Sequence, residues 1–169
     1  MNISFRRLNN NDFSKLHKWC SRKFVYEWFE QRILSYDEIV NKYTNKLNSG
    51  KQDIFIIQCD NIDVGLTQIY KFENDINLDI EKYNNIYEYD LFIGEEYSSK
   101  GIGTLIVKEI NKKIYSKYNA DAIILRPFKR NTRAIKCYEK CDYKIISEYN
   151  GTDTIGNPEI IMVLLNEKH

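Results

Sequence analysis

The segment Ser98-Ser99-Lys100-Gly101-Ile102-Gly103-Thr104 places two glycines where a strand gives way to a helix. Such a turn gathers several backbone N–H groups at one point, where the helix dipole helps them hold a phosphate. Its spacing matches neither G-x-G-x-x-G nor G-x-x-x-x-G-K-[ST], so the residues point to a different diphosphate ligand. A second candidate is Asp90, a carboxylate between Tyr89 and Leu91 in an otherwise apolar run. Burying it is costly unless it is paired or serves a ligand. The four cysteines, Cys20, Cys59, Cys137 and Cys141, have no CxxC spacing, and only His17 and His169 accompany them. Cys137 and Cys141, four apart, suit two packed thiols better than zinc, so no metal is expected.

The elements that must position these groups follow from periodicity. Ile3 to Leu8 alternates as a strand, and Asn11 or Asp12 is placed to cap a helix carrying Phe13, Leu16 and Trp19. Ser35 starts a helix through Ile39, Tyr43 and Leu47 that Asn48-Ser49-Gly50 ends. Ile54 to Ile57 and Val64 to Tyr70 flank Asp60-Asn61, a hairpin signature. Glu73 to Asn85 reads as a loop and Ile86 to Ile93 as a strand. After the glycine turn comes an amphipathic helix through Ile106, Ile110 and Ile114, then the buried strand Ala122-Ile123-Ile124-Leu125. Asn131 caps a helix through Ala134, Ile135 and Tyr138, and strands near Lys144–Tyr149 and Ile160–Leu164 close the chain. The order β-α-α-β-β-β-α-β-α-β-β predicts an α/β (α+β) fold, a mixed central sheet with helices on both faces.

Length and charge bound the partners. At 169 residues one domain, 1–169, can hold a core without disulfides. With 25 Lys+Arg against 24 Asp+Glu, no global field favours nucleic acid or an anionic membrane. No apolar run approaches the roughly 18 residues of a membrane span, and MNISFRRLNNND lacks the pattern of a secretory leader, so a cytoplasmic location is expected.

Two motifs together carry a resemblance. Residues 98–104 resemble the pyrophosphate loop of the Gcn5-related N-acetyltransferases, and Asn131-Thr132-Arg133-Ala134-Ile135-Lys136-Cys137-Tyr138-Glu139-Lys140 resembles that superfamily's next motif, in the expected order. Val25-Tyr26-Glu27-Trp28-Phe29 and Tyr89-Asp90-Leu91-Phe92-Ile93-Gly94 extend the similarity to the aminoglycoside 6'-N-acetyltransferases. The resemblance implies acetyl-CoA as co-substrate, no metal, and transfer of acetyl to a primary amine by direct attack on the thioester. It implies that Tyr138 faces the CoA sulfur, where a phenol with a pKa near 10 stays protonated and can donate to a thiolate. It assigns Asp90 to the acceptor amine, as the group that orients the ammonium and accepts its proton. It assigns Phe92, Ile93, Ser99, Lys100, Gly101, Ile102, Gly103, Thr104, Asn131 and Ala134 to the cofactor, and Glu27, Trp28, Glu88 and Arg126 to the substrate side.

Local charge bears on the acceptor. Glu73 to Glu96 holds eight acidic residues and one Lys, whereas Lys108 to Lys144 holds eleven basic and four acidic ones. An acidic rim suits a polycationic small molecule and a basic stretch suits the phosphates of CoA, although solvated helix faces produce such runs too. Three residues depart from the family pattern: Ser98, where many members carry Arg or Gln; Asp142, where a glycine is usual before the aromatic, here Tyr143; and Arg126 before Pro127, where several aminoglycoside enzymes carry an aspartate. A cation there repels an aminoglycoside ammonium unless it turns away or pairs with Asp90 or Glu88. Three readings therefore stand: an antibiotic-modifying acetyltransferase, active as monomer or homodimer; an acetyltransferase for a metabolite, peptide or siderophore-type amine; and a non-catalytic acyl-CoA-binding module.

Overall fold

A computed structural model describes residues 1–73, 83–98, 101–149 and 157–166. Among them are seven strands, in the order β1-β2-β3-β4-β5-β7-β6, and five α-helices, the mixed α/β class expected. The chain divides into two compact units, Met1–Tyr70 with Asp90–Gly103, and Lys71–Tyr89 with Thr104–His169.

In the first unit β1 (Ile3–Arg7) pairs antiparallel with β2 (Gln52–Cys59), which pairs antiparallel with β3 (Ile62–Lys71). Asp60 and Asn61 join the last two with φ of 49° and 64°. Both central residues of a type I′ turn need this left-handed backbone, which Asp and Asn tolerate better than most residues. The first helical segment begins earlier than the sequence suggests. Asn9 caps that segment, its side chain accepting from Asn11 N while Asp12 Oδ2 accepts from Asn9 N at 3.0 Å; Asp12 stands at the N-cap of the helix carrying Phe13, as expected, but makes no side-chain capping bond there. A 3-10 turn at Asn10–Asp12 then leads into α1 (Phe13–Cys20). The Asp12 side chain is drawn away from capping α1 by Arg6, whose guanidinium donates to both its oxygens at 2.8 and 2.7 Å. A one-turn helix, α2 (Lys23–Tyr26), was not legible in the sequence. α3 (Tyr36–Ser49) starts at Ser35, in a capping box with Glu38, and stops at Gly50, φ 63°, as its signals predicted. Leu16, Ile39, Tyr43, Ile54, Ile56 and Leu66 are fully buried between these elements.

β4 (Ile86–Ile93) lies partly in each unit. Near its end Gly65 is required sterically, since a Cβ there would overlap Phe92 O. In the second unit β4 pairs parallel with β5 (Ala122–Leu125), and β5 pairs antiparallel with β7 (Glu159–Leu165), which pairs antiparallel with β6 (Lys144–Tyr149). The apolar stripe Ile106, Ile110 and Ile114 of α4 (Ile102–Tyr118) is fully buried, as are all four residues of β5. α5 (Thr132–Glu139) is capped by Asn131, as expected. Of the loop expected at Glu73–Asn85, residues 74–82 lie outside the described residues.

Candidate active site

The first unit holds Asp90 on β4. Its backbone carbonyl accepts from Thr67 Oγ1 at 2.9 Å, and its Oδ2 accepts from Tyr70 OH at 3.3 Å and from Gln68 Nε2 at 3.5 Å. Gln68 is buried, and its Oε1 accepts from Lys46 Nζ at 2.6 Å. Alternation on β3 would ordinarily aim Gln68 and Tyr70 to one face, and both reach the same carboxylate oxygen. Burial, reinforced by Lys42, holds Lys46 below the usual lysine pKa, while Asp90 and Glu30 pull the other way. Lys42 in turn donates to Glu30 Oε1 at 2.6 Å. The Tyr43 hydroxyl, within this group, has no hydrogen-bond partner among the described residues, and burial pushes its pKa well up. Lys46, Gln68 and Tyr70 were not anticipated. The one available signal was Gln68, an amide in an apolar strand.

Glu27, the C-cap of α2, and Trp28 follow that helix in a turn, both half-buried. Phe92 spends its side chain on the core, with ring centroids 4.9 Å from Phe29 and 5.9 Å from Trp19, which leaves only its backbone for a ligand. After the half-buried Ile93, Gly94 N donates to Val64 O at 2.8 Å, and Trp19 Nε1 donates to Glu96 Oε1 at 3.3 Å in the 3-10 turn Glu95–Tyr97. Ser99 and Lys100 lie outside the described residues. Gly101 has φ of 75°, and a Cβ added to it would meet nothing within 4 Å, so the demand for glycine there is one of backbone conformation, not space. Ile102 and Gly103 then open α4, whose first four N–H groups have no acceptor within the helix.

The second unit holds Tyr138, half-buried on α5, with its ring 5.8 Å from that of Tyr143. Tyr143 OH donates to Asn111 Oδ1 at 2.8 Å, and Tyr89 OH donates to the same oxygen at 3.3 Å. Burial raises the pKa of Tyr89 and Tyr143 well above the ordinary phenol value, so both stay protonated and fix the surface on which Tyr138 rests. Asp142 occupies the glycine position of the motif with φ of 68°; the turn keeps the left-handed geometry that makes glycine usual there. Asn131 Oδ1 is used as a cap, accepting from Ala134 N at 3.2 Å. Cys137 and Cys141 pack together as expected. Cys141 Sγ donates to Thr104 O at 3.5 Å, Thr104 Oγ1 stands 3.7 Å from the Cys137 sulfur, and the neighbouring Cys141 thiol holds the Cys137 pKa below its ordinary value.

Arg126 pairs with Glu88. Nε and Nη2 donate to Oε1 and Oε2 at 2.8 and 3.1 Å, and the two side chains are 22% and 5% exposed. The cation that stood against a cationic acceptor is thus matched by one of the two carboxylates named for it. The predicted residues divide between the units: Glu27, Trp28, Asp90, Phe92, Ile93, Gly101, Ile102 and Gly103 belong to the first, and Glu88, Thr104, Arg126, Asn131, Ala134 and Tyr138 to the second. Among the described residues no three of His, Cys, Asp and Glu gather as a metal-binding set, and no helix is long and apolar enough to cross a membrane.

The family model described as an acetyltransferase (GNAT) domain matches residues 9–150. The chain is 22% identical over 147 residues to the spermidine N(1)-acetyltransferase of Escherichia coli K12, covering 86% of this chain and 75% of the relative. It is 24% identical over 168 residues to the aminoglycoside N(6')-acetyltransferase type 1 of Klebsiella pneumoniae, covering 95% and 82%. Its fold is similar to a solved structure of AAC(6')-Ib in complex with paromomycin and acetyl-CoA, with a TM-score of 0.85 at 19% identity over 99% of this chain and 95% of the other.

Proposed function

The chain belongs to the acetyltransferase (GNAT) domain family and is an N-acetyltransferase; from that premise we propose that it uses acetyl-CoA to acetylate a polycationic small-molecule amine, with the 6'-amine of an aminoglycoside as the leading acceptor. The family match over residues 9–150 supports the acetyl transfer, and the similarity to an aminoglycoside N(6')-acetyltransferase, at 24% identity, supports the acceptor. Support for the co-substrate comes from the left-handed Gly101 before α4, whose first-turn N–H groups suit a diphosphate. Ser99, Lys100, Gly101, Gly103 and Thr104 supply that cradle, Asn131 contacts the pantetheine arm, and Ala134 belongs to the same cofactor side.

The chemistry divides among few side chains. Asp90 orients the acceptor ammonium and takes its proton, directly or through water, which frees the nitrogen lone pair for the thioester carbonyl. As the C–S bond breaks, Tyr138 donates its phenolic proton to the departing thiolate. Glu27, Trp28, Glu88 and Arg126 shape the acceptor side. Arg126 paired to Glu88 supports a cationic acceptor, since the pair offers no net repulsion. The protein acts as one domain, in the cytoplasm, as monomer or homodimer.

A second reading makes a metabolite polyamine the acceptor. It is favoured by the similarity to a spermidine N(1)-acetyltransferase, at 22% identity. The test mixes purified protein with acetyl-CoA and, separately, kanamycin, tobramycin, spermidine, lysine and short peptides, and follows free CoA thiol against no-acceptor controls. Saturable release with the 6'-amino aminoglycosides is expected. Release with spermidine alone selects the second reading, and acetyl-CoA binding without release for any amine overturns both.

A further inference from the structure

We propose that Lys46 is a positioning residue for Asp90, acting through the amide of Gln68; this rests on the reading of Asp90 as the acceptor carboxylate. A lysine ammonium has three donors and no acceptor, so the group facing it must be an acceptor. The Gln68 carbonyl oxygen therefore faces Lys46 Nζ, at 2.6 Å, and the amide nitrogen is left to face Asp90 Oδ2, at 3.5 Å. Gln68 is 1% exposed, so water cannot stand in for either partner. Without Lys46 the amide can turn over and present its carbonyl to a carboxylate, which disfavours the charged form of Asp90.

Within this unit, α3 contributes Lys42 and Tyr43 beside Lys46, the segment after α2 contributes Glu30, which is bonded to Lys42, and β3 contributes Tyr70 and Thr67 to Asp90. Of these Tyr70 donates to the same Oδ2 as Gln68, so Lys46 bears on the Gln68 bond and leaves the Tyr70 bond in place.

Carbon-13 NMR of protein labelled at aspartate carboxyls, with Asp90 assigned through Asp90→Asn, reads the effect without turnover. Lys46→Met raises the Asp90 titration midpoint by about one unit, and Lys46→Arg, also donor-only, leaves it in place. Gln68→Leu raises it similarly, and adding Lys46→Met to Gln68→Leu raises it by less than Lys46→Met does alone, the remainder being the direct attraction between the Lys46 ammonium and Asp90. In kinetics the acid limb of kcat/KM for the acceptor moves to higher pH in Lys46→Met, and KM for acetyl-CoA is unchanged. An unmoved midpoint in folded Lys46→Met, or fully additive shifts in the double variant, overturns the proposal. Should Asp90→Asn keep full turnover while Lys46→Met still moves the midpoint, the reading of Asp90 fails and its control by Lys46 stands.

Discussion

Replacing Arg126 by Met removes the guanidinium from a carboxylate that is almost fully desolvated. Glu88 is 5% exposed, so water does not replace the two charge-assisted hydrogen bonds it loses. Removing one partner of a buried ion pair costs about 3–5 kcal/mol, and because Arg126 itself is 22% exposed the lower end, about 3 kcal/mol, is expected. For a chain of this size that corresponds to a fall in Tm of roughly 6–12 °C. Urea unfolding at pH 7, with a thermal scan beside it, measures the loss. The penalty shrinks as pH falls, because a buried carboxyl without its cation takes up a proton at a higher pH than an exposed one does. Adding Glu88→Gln to Arg126→Met removes the buried charge, so the double variant recovers most of the stability. A loss under about 1 kcal/mol in Arg126→Met, or a double variant no better than the sum of the singles, would falsify the account of a desolvated, mutually dependent pair.

Tyr138→Phe keeps the aromatic packing on Tyr143 but removes the proton donor, so turnover falls by about 10²–10⁴ while acetyl-CoA binding by calorimetry barely changes; turnover at the wild-type rate removes Tyr138 from the chemistry. Asp142→Gly relieves a left-handed backbone and is expected to stabilise by about 0.5–1 kcal/mol, whereas Asp142→Val destabilises by about 1–2 kcal/mol, both read from urea midpoints. Burial works to raise Asp12 and Asp63, yet hydrogen bonds from Arg6, with Lys15 and Gln58 adding to Asp63, hold both below the ordinary carboxylate pKa. Their contribution to stability is therefore complete above about pH 4 and is lost as pH falls below it; Arg6→Met should flatten that acid limb, and an unchanged slope between pH 5 and 2 counts against the network.

Long-period patterns were legible because burial enforces them. The Ile106, Ile110 and Ile114 stripe, the four apolar residues of β5 and the Asp60-Asn61 turn each leave one economical conformation. The side-chain cap falls at Asn9, ahead of α1, because Asn9, Asn11 and Asp12 have nearly equal cap propensity, and the choice is made by Arg6, a residue of another element that claims the Asp12 side chain. α2 escaped because four residues carry too little periodicity. At the candidate site, Asp90 and Arg126 stood out as charges in apolar surroundings. Lys46 did not, since on a helix alone its spacing is that of any surface lysine, and only packing of α3 brings it to Gln68.

The two units interleave along the chain, since the first needs residues 90–103 after an excursion of 71–89 into the second. During synthesis at roughly 5–20 residues per second, the 22 residues from 72 to 93 that complete β4 take about 1–4 s to be added. For that interval the newly made β3 waits with one edge unmatched, because its neighbour in the sheet, β4, has not yet emerged. Until then the backbone donors and acceptors along the open edge of residues 62–71 are available to a strand of another chain.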